Sequence, residues 1–470
     1  MSLQFEFLDQ IAPPPRFDKW IAIVAVSALV AGLCSCGDGA DRVEPSASER
    51  STPQRGSYPE EFVEAAPFFR PFDSPGRWRS FHTHKFDQGL DQDQRQMLER
   101  LEGIGYLSGS TVAKGHDVTI HDTSAAHAGL NFYTSGHAPE AVLMDMNGMV
   151  LHRWGHEFWD VWPDYPVARD HMGTEFWRRA HLYENGDILA IYEGLGIIKL
   201  DSNSKLIWAN PLRAHHDFQA MPNGDIYVLS REAKIVPRVD PQPILEDFVV
   251  VLDANGHEKR RVSVLESVER SKFENLWRRT LSRSRDLYHT NTLEVLDGRI
   301  VQVVPEFKRG NVLVYLRGIA VTGVIDLERR ELVWARRDPD TDQHDPKILG
   351  NGNLMIFRNH GVKDASSIVE FDSVSEDVVW EYRGDEETPF FSATCGTAER
   401  LPNGNTLVTE TDTGRAFELT PDKRIAWEFF NPHRGGDHDE FIATLFEVIR
   451  LPPDFPLGWA RAEASGSRGR

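Results

Sequence analysis

Cysteine is scarce in this sequence. Of its three cysteines, Cys34 and Cys36 fall in an apolar N-terminal segment, and only Cys395 lies in the rest of the chain. A single thiol cannot form an internal disulfide, so we expect Cys395 to be an inert buried residue. The chain also lacks G-x-x-x-x-G-K-[ST], HExxH and CxxC motifs. These absences argue against a nucleotide phosphate cradle and against a compact metal motif.

Basic residues are the second deficit. The chain has 52 lysines and arginines against 72 acidic residues, which gives a formal net charge of −20. A field of that sign repels phosphate backbones and argues against nucleic acid as a partner. The charged fraction of 26% and the hydrophobic fraction of 40% are those of an ordinary globular protein.

The first 36 residues have the features of an export signal. Arg16 and Lys19 precede the apolar run WIAIVAVSALVAGLCSC, whose length is typical of a secretory signal. The residues around Cys36 resemble a bacterial lipoprotein cleavage box, with Cys36 as the lipidated residue. A lipoprotein, an uncleaved membrane anchor and a cleaved signal peptide are three alternatives. Each would export the protein to the periplasm or hold it at the membrane.

The rest of the chain divides by composition. Residues 37–62 are rich in serine, proline and charge and are predicted to be a flexible linker. Residues 63–116 form an N-terminal extension in which 92–104 have the pattern of an amphipathic helix. The aromatic and proline-rich segment 156–166 indicates an ordered loop, and residues 456–470 are a tail.

Two alternating elements fill residues 117–455. The first is an apolar hairpin with an Asn-Gly type corner, as in HLYENGDILAIYE, DFQAMPNGDIYVLSR, DPKILGNGNLMIFRN and TAERLPNGNTLVTET, with a looser copy in TNTLEVLDGRIVQV. Asn-Gly between β-rich runs is a strong hairpin signal, because both central residues must accept positive φ. The second element runs from an acidic or polar turn to a tryptophan; these tryptophans are Trp154, Trp208, Trp334, Trp380 and Trp427. We expect them to pack between repeats.

The order of these elements predicts a closed ring. The repeats begin with an outer hairpin, AVLMDMNGMVLHRW, and finish with an inner one, EFIATLFEVIRLPPDF. In a ring the last hairpin completes the sheet that the first began, which hides two strand edges. The sequence therefore predicts an all-β, six-bladed β-propeller with four-stranded blades over 117–455. An open sandwich is the alternative, disfavoured by the regular period.

A histidine recurs seven or eight residues before several inner corners. If the corners are equivalent, the residues at this distance form a ring at one mouth of the central channel: Arg178, His216, His289, His344 and Gly396. Counting eight residues forward from each corner places a second set beside them: Glu193, Arg231, Arg317, Asn359 with His360, and Thr411. For the unit that holds His289 this counting requires residues 299–308 to be an insertion.

Three imidazoles and a guanidinium around one point suit the transfer of an anionic group. Neutral imidazole is a nucleophile and a proton carrier near pH 7, and guanidinium stabilises spreading negative charge. Phosphoryl or sulfuryl transfer needs an in-line nucleophile, an acid for the departing oxygen and cations around the peripheral oxygens.

The chain resembles the bacterial aryl-sulfate sulfotransferases, six-bladed propellers that move a sulfuryl group between phenols without a nucleotide donor. The similar stretches are NFYTSGHAPEAVLMDMNGMVLHRW, AHHDFQAMPNGDIYVL, YHTNTLEVL, VYLRGIAVTGVID and DQHDPKILGNGNLMIF. The resemblance implies a ping-pong reaction between an aryl sulfate donor and a phenol acceptor, with no cofactor and no metal.

The resemblance also implies roles for individual residues. His344 in DQHDP matches the transiently sulfurylated residue, and the HTN stretch implies His289 as acid/base with Asn291 beside it. His216 and Arg317 match groups that bind the sulfuryl oxygens. The family has a threonine near the site, for which Thr397 and Thr394 are both candidates. The substrate-binding residues that we expect are Asn291, Arg231, Asn359 and Thr397.

Other interpretations compete with this one. Three histidines could bind zinc or copper, although Arg317 beside them would repel a cation. A non-catalytic exported propeller that binds a ligand or a partner is the third class. Taken singly, His137, His181 and His360 are expected to be structural, and Arg231 and Glu193 could pair with each other across the channel.

Overall fold

The computed structural model describes residues 114–279, 285–337, 342–360, 365–435 and 441–460. The predicted signal, Cys36, the linker 37–62 and the predicted helix 92–104 lie outside these residues, as does most of the extension 63–116. Within the described ranges, no helix is long and apolar enough to cross a membrane.

Six antiparallel four-stranded sheets follow one another as the blades of a β-propeller, which confirms the predicted fold. The strands of blade two are Arg179–Leu182, Ile188–Tyr192, Gly196–Leu200 and Leu206–Asn210, and those of blade three are Ala214–Ala220, Ile226–Val236, Asp240–Leu252 and Glu258–Ser263. Blade four has Thr290–Val295, Val312–Leu316, Val321–Asp326 and Glu331–Arg337, and blade five has Gln343–Ile348, Leu354–Arg358, Ser367–Phe371 and Val378–Arg383. Blade six has Thr397–Arg400, Thr406–Glu410, Arg415–Leu419 and Ile425–Phe430.

Blade one closes the ring. Its outer strands, Leu130–Ser135, Glu140–Met144 and Val150–Gly155, come from the start of the repeats, and its inner strand, Leu445–Leu451, comes from their end. The two parts pair antiparallel from Leu130 opposite Leu451 to Ser135 opposite Leu445. The closure predicted from the order of the hairpins is therefore present.

A few elements add to the blades. Asp117–His121 pairs with Ile425–Phe430 as a fifth strand of the sheet of blade six, and Arg434–Gly435 pairs with Phe441–Ile442. The α-helices include Phe158–Val161 and Val264–Glu269, residues 458–460 are also helical, and the 3-10 helices include Met172–Thr174, Glu274–Arg279 and Arg317–Ile319. The predicted ordered loop 156–166 contains the first α-helix, whose Phe158 is fully buried.

The predicted insertion in blade four is present. The strands Thr290–Val295 and Val312–Leu316 are joined by residues 296–311 rather than by a tight turn. The amide of Leu296 donates to the carbonyl of Asn311 at 2.9 Å, and the amide of Gly310 donates back to Leu296 at 2.9 Å. These bonds close the hairpin on either side of the extra residues. Asp297-Gly298 therefore follows the first strand, and Arg309-Gly310 precedes the second, as the counting assumed.

Four of the five repeated tryptophans bond to the neighbouring blade, as expected. The indole of Trp154 in blade one donates to the carbonyl of Gly186 in blade two at 3.0 Å. Equivalent bonds run from Trp208 to Ala254, from Trp380 to Pro421 and from Trp427 to Met146. The last of these links blade six to blade one across the closure. Trp334 instead packs edge-on against Phe307, with ring centroids 5.0 Å apart.

A buried ion cluster joins inner strands of several blades, and three of its members directly follow Arg178, His216 and His344 in the sequence. Nε of Arg179 lies 3.6 Å from Asp217 Oδ1, and Nη2 lies 3.9 Å from Asp345 Oδ1. Nη1 forms an ion pair with Glu447. These four residues belong to four different inner strands, from blades two, three, five and one. The cluster therefore ties the inner edge of the ring together.

Replacing Arg179 with methionine should strongly destabilise the protein. The change would leave the carboxylates of Asp217, Asp345 and Glu447 buried without this counter-charge, which typically costs about 3–5 kcal/mol when one partner is removed. Urea unfolding measures the loss, and Arg179→Lys is the matched control, because it keeps a positive charge and should lose less. Equal unfolding free energies for the parent and Arg179→Met would contradict the argument.

A second carboxyl, that of the partly buried Glu294, should make stability depend on pH. Burial raises its pKa to about 7, although its Oε2 accepts a hydrogen bond from the amide of Ile348 at 2.9 Å. Because this folded-state pKa lies above the unfolded value near 4.5, the folded protein binds more protons between these pH values. The contribution of Glu294 to stability is therefore present below about pH 4.5 and is lost as pH rises to about 7.

Glu294→Gln should remove this loss, which amounts to about 3 kcal/mol between pH 4.5 and 8. The measurement is urea unfolding of parent and variant at both pH values. Glu184, an exposed glutamate in a turn of blade two, supplies the control variant Glu184→Gln, whose behaviour should follow the parent's. A parallel pH dependence in parent and Glu294→Gln would show that this carboxyl is not the source.

Candidate active site

The three histidines selected by counting from the hairpin corners lie close together at one mouth of the channel. His216 lies in the inner strand of blade three, His289 directly precedes that of blade four, and His344 lies in that of blade five. The rings of His216 and His289 have centroids 5.2 Å apart. The positive charges of Arg178 and Arg317 act on His344, and His289 also influences it electrostatically. The residues selected by counting are thus brought together.

Breaks in strand register position these side chains. The pairing of the inner strand shifts between Val228 and Ser230 beside His216, between Thr290 and Leu293, and between His344 and Lys347. Such β-bulges redirect a side chain and are frequent beside active sites. His216 and His289 also have positive φ, +54° and +47°, a conformation that non-glycine residues rarely adopt. The inner strands of blades two and six keep an unbroken register with their neighbours.

His344 is held as a neutral imidazole with a defined tautomer. Its Nδ1 lies 2.6 Å from Oδ1 of Asn359, whose Nδ2 donates to the carbonyls of Ser392 at 2.9 Å and Cys395 at 2.6 Å. Because those two carbonyls need a donor, the amide presents its oxygen to His344, so Nδ1 carries the hydrogen and Nε2 the lone pair. Burial, with the charges of Arg178, Arg317 and His289, sets the pKa of His344 well below its usual value, against the opposing effect of Asn359.

His289 is paired with a carboxylate. Its Nδ1 lies 2.7 Å from Oδ2 of Asp286, which orients the ring. Asp286 was missed by the counting, which compared only positions at one distance from the corners. Its signal is local, an acidic residue three positions before the histidine in DLYH.

His216 belongs to a chain of buried polar groups. Its amide donates to Oε2 of Glu193 at 2.9 Å, and its Nδ1 lies 2.9 Å from Nδ1 of His215. Nε2 of His215 lies 3.7 Å from Oδ1 of Asp247, whose pKa burial raises to about 7, helped by the charge of Asp286. Burial, and then the neighbouring imidazoles of His215 and His289, lower the pKa of His216 well below its usual value. His216 is therefore neutral at physiological pH.

Two groups of side chains within the described ranges could supply three metal ligands. Glu193, His215 and His216 have donor atoms within 4.8 Å of one another, but the positive charges of Arg178 and Arg231 act on the same site. The second group is His137, Glu140 and His433, away from the ring. There His137 Nδ1 contacts Ser135 at 2.7 Å, and Glu140 Oε1 accepts from Arg153 at 2.6 Å. Neighbouring cations and existing hydrogen bonds make both groups poor metal sites.

A model of the family described as Arylsulfotransferase (ASST) matches residues 179–432. The chain belongs to the arylsulfotransferase family. The matched range begins at the inner strand of blade two and ends just after the outer strand of blade six, so it contains all three ring histidines. At the level of the family, the chain is a sulfotransferase.

No curated protein matches this arylsulfotransferase. Among solved structures, a protein of unknown function from Bacteroides caccae is similar over 64% of this chain and 93% of its own, with 11% identity and a TM-score of 0.43. A streptogramin B lyase is similar over 71% and 96%, with 13% identity and a TM-score of 0.40. Virginiamycin B lyase from Staphylococcus aureus covers 54% and 69%, with 10% identity and a TM-score of 0.32.

The arginines of this arylsulfotransferase differ in exposure. The side chain of Arg317 is 39% exposed and pairs with Asp342 through Nη2 and Oδ1 at 2.6 Å. Arg231 is buried beside Gly194, where an added Cβ would lie 2.6 Å from its Nη2. Glu193 lies against Arg178, with Nε and Oε2 3.7 Å apart, and against His216, with Oε1 and Nδ1 3.5 Å apart. Positive charge thus surrounds the histidines of an acidic protein.

Several expected substrate-binding residues are engaged within the protein. Asn291 donates to the carbonyl of Gln343 at 2.9 Å and so anchors the strand that carries His344. Asn359 is fully buried and holds the ring of His344. Thr397 is buried in blade six opposite Thr409, while Thr394 donates to Asp412 at 2.9 Å. Cys395 is a buried free thiol, and burial raises its pKa.

Proposed function

We propose that this family member transfers a sulfuryl group from an aryl sulfate to a phenol, through a ping-pong cycle with a sulfohistidine at His344. The observation that carries the proposal is the state of His344. It is a buried neutral imidazole whose Nδ1 hydrogen is held by Asn359, so that the lone pair is on Nε2, and it lies among arginines. A neutral nucleophile surrounded by cations suits attack on an anionic ester.

In the first half-reaction, Nε2 of His344 attacks the sulfur of the aryl sulfate. The N–S bond forms as the S–O bond to the aryl group breaks, and the departing phenolate takes the proton from Nε2 of His289. The sulfurylated imidazole is positive on its ring and negative on its sulfonate, so it remains net neutral. Its Nδ1 hydrogen stays bonded to Asn359, which stabilises the positive ring.

In the second half-reaction, an acceptor phenol occupies the place of the first. Nε2 of His289 removes the proton of the phenol while the phenol oxygen attacks sulfur. The O–S bond forms, the N–S bond breaks, and His344 returns to its neutral form. Asp286 keeps the ring of His289 oriented through both steps, 2.7 Å from its Nδ1. His216 and Arg317 face the sulfuryl oxygens in this scheme.

The test is incubation of the purified protein with a chromogenic aryl sulfate and a phenol acceptor. We expect phenol release that requires the acceptor, formation of the sulfated acceptor, and parallel lines in double-reciprocal plots at several acceptor concentrations. Intersecting lines would reject the covalent cycle. An inactive protein that elemental analysis shows to contain zinc or copper would instead favour a metal site.

A further inference from the structure

We propose that Arg178 is a substrate-binding residue of the active site that contacts the sulfuryl oxygens from the side of blade two. This inference rests on the proposed function and adds a residue to it. Arg178 directly precedes the first strand of blade two, one residue before the range matched by the family model. Seven residues before the corner Asn185-Gly186, it occupies in blade two the place that the histidines occupy in blades three and five.

The first support is position. The amide of Arg178 donates to the carbonyl of Ile191 at 2.9 Å, which anchors the residue on the neighbouring strand. Its Nε lies 3.7 Å from Oε2 of Glu193, the same oxygen that accepts the amide of His216 at 2.9 Å. A single carboxylate therefore bridges Arg178 and His216. The charge of Arg178 also acts on both His216 and His344.

The second support is an unsatisfied donor of this guanidinium, its Nε. The side chain is only 4% exposed, and among the described residues its Nε has no hydrogen-bond partner. The 3.7 Å separation from Glu193 is longer than a hydrogen bond, and the guanidinium stands over the ring of Phe446 at 5.2 Å. Burying a charged donor without a hydrogen-bond partner is costly, so an anionic ligand that reached this donor would relieve that cost.

The contrast with Arg317 assigns the two residues different places. Arg317 is more exposed and holds Asp342 at 2.6 Å, so it lies at the rim of the site. Arg178 is buried, and the carboxylate of Glu193 connects it to His216. The planar guanidinium can donate two parallel hydrogen bonds to two oxygens of a sulfuryl group.

Arg178 also has an effect on His344 that can be measured. The charged and hydrogen-bonding groups that face His344 are Arg178, Arg317, His289 and Asn359. Removing one positive charge should raise the pKa of His344 toward its ordinary value. The acidic limb of the pH profile of kcat/KM should then move to higher pH, a shift that a purely structural role would not produce.

The experiment compares Arg178→Met and Arg178→Lys with Arg153→Lys, a buried arginine in blade one that pairs with Glu140. For Arg178→Met we expect kcat/KM to fall by about 10²-fold or more and its acidic limb to move up, with a smaller loss in Arg178→Lys. Arg153→Lys should keep both the rate and the pH limb. Parent-like kcat/KM and an unmoved limb in Arg178→Met would overturn the proposal.

Inorganic sulfate gives a readout that does not depend on turnover. Titration calorimetry should show sulfate binding to the parent and to Arg153→Lys, with at least a tenfold weaker affinity in Arg178→Lys. If Arg178→Met does not fold, as judged by circular dichroism, Arg178→Lys carries both tests. If the parent binds sulfate through Arg178 but transfers no sulfuryl group, the proposed function fails and the anion site stands. Sulfate binding that is equal in the parent and Arg178→Lys, or absent from the parent, rejects the site.

Discussion

His344→Ala should abolish acceptor-dependent release of phenol from an aryl sulfate, with kcat/KM lower by on the order of 10⁴-fold or more. The variant removes the only protein atom that forms a bond to sulfur in the proposed cycle, so the remaining groups can bind the donor but cannot accept its sulfuryl group. In the parent, rapid quenching with donor alone should leave the peptide that contains residues 343–348 heavier by one SO₃ group. Mass spectrometry of parent and variant checks both statements.

The control is His152→Gln, a change at a histidine of blade one that contacts the carbonyl of Ser202 and lies outside the site. It should keep parent activity and the modified peptide. Asn359→Ala is a second comparison, because it leaves the nucleophile but removes the group that orients Nδ1 at 2.6 Å. Its activity should fall between those of the parent and His344→Ala. Modification of a different histidine in the parent would show that this other histidine, and not His344, is the nucleophile.

The fold could be predicted from the sequence because local chemistry repeats. Turn residues such as Asn223-Gly224 require positive φ, which Gly224 adopts at +88°, and they mark the same corner in each blade. Tryptophans such as Trp427 mark the outer strands and bond to the next blade. The offset between the first and last hairpins predicted the closure, confirmed by the pairing of Leu130 with Leu451. The fifth strand of blade six was missed, since Asp117–His121 has no repeat partner in the sequence.

The site was predictable only where it follows the period of the repeat. His216, His289 and His344 could be selected by counting, and the structure brings them together. The β-bulges that aim them and the positive φ at His216 and His289 depend on the surrounding blades and have no signature in the period. Partners such as Asp286 come from segments outside the hairpins. Asn359 lay at the right distance, but only its contacts show that it holds a ring rather than a substrate.

His289→Gln should slow transfer in a way that depends on the leaving group. If His289 gives its proton to the departing phenolate, donors whose phenols are weak acids need that proton most, and their kcat/KM should fall by about 10²–10⁴-fold. Donors with strongly acidic nitrophenols leave as phenolates without help, so their loss should be much smaller. The measurement is a plot of log kcat/KM against the pKa of the leaving phenol for a series of aryl sulfates. The slope should be steeper in the variant than in the parent.

Asp286→Asn separates orientation from proton transfer in the same assay. The amide oxygen can still accept the Nδ1 hydrogen of His289, as Oδ2 of Asp286 does at 2.7 Å, but it carries no charge to stabilise the protonated ring. We therefore expect a slope between those of the parent and His289→Gln. His216→Gln provides the contrast. If His216 only binds sulfuryl oxygens, its loss should lower kcat/KM for all donors by a similar factor and leave the slope unchanged. Equal slopes for the parent and His289→Gln would show that His289 does not transfer the proton. The proton donor would then be sought among the buried polar groups that include His215 and Asp247.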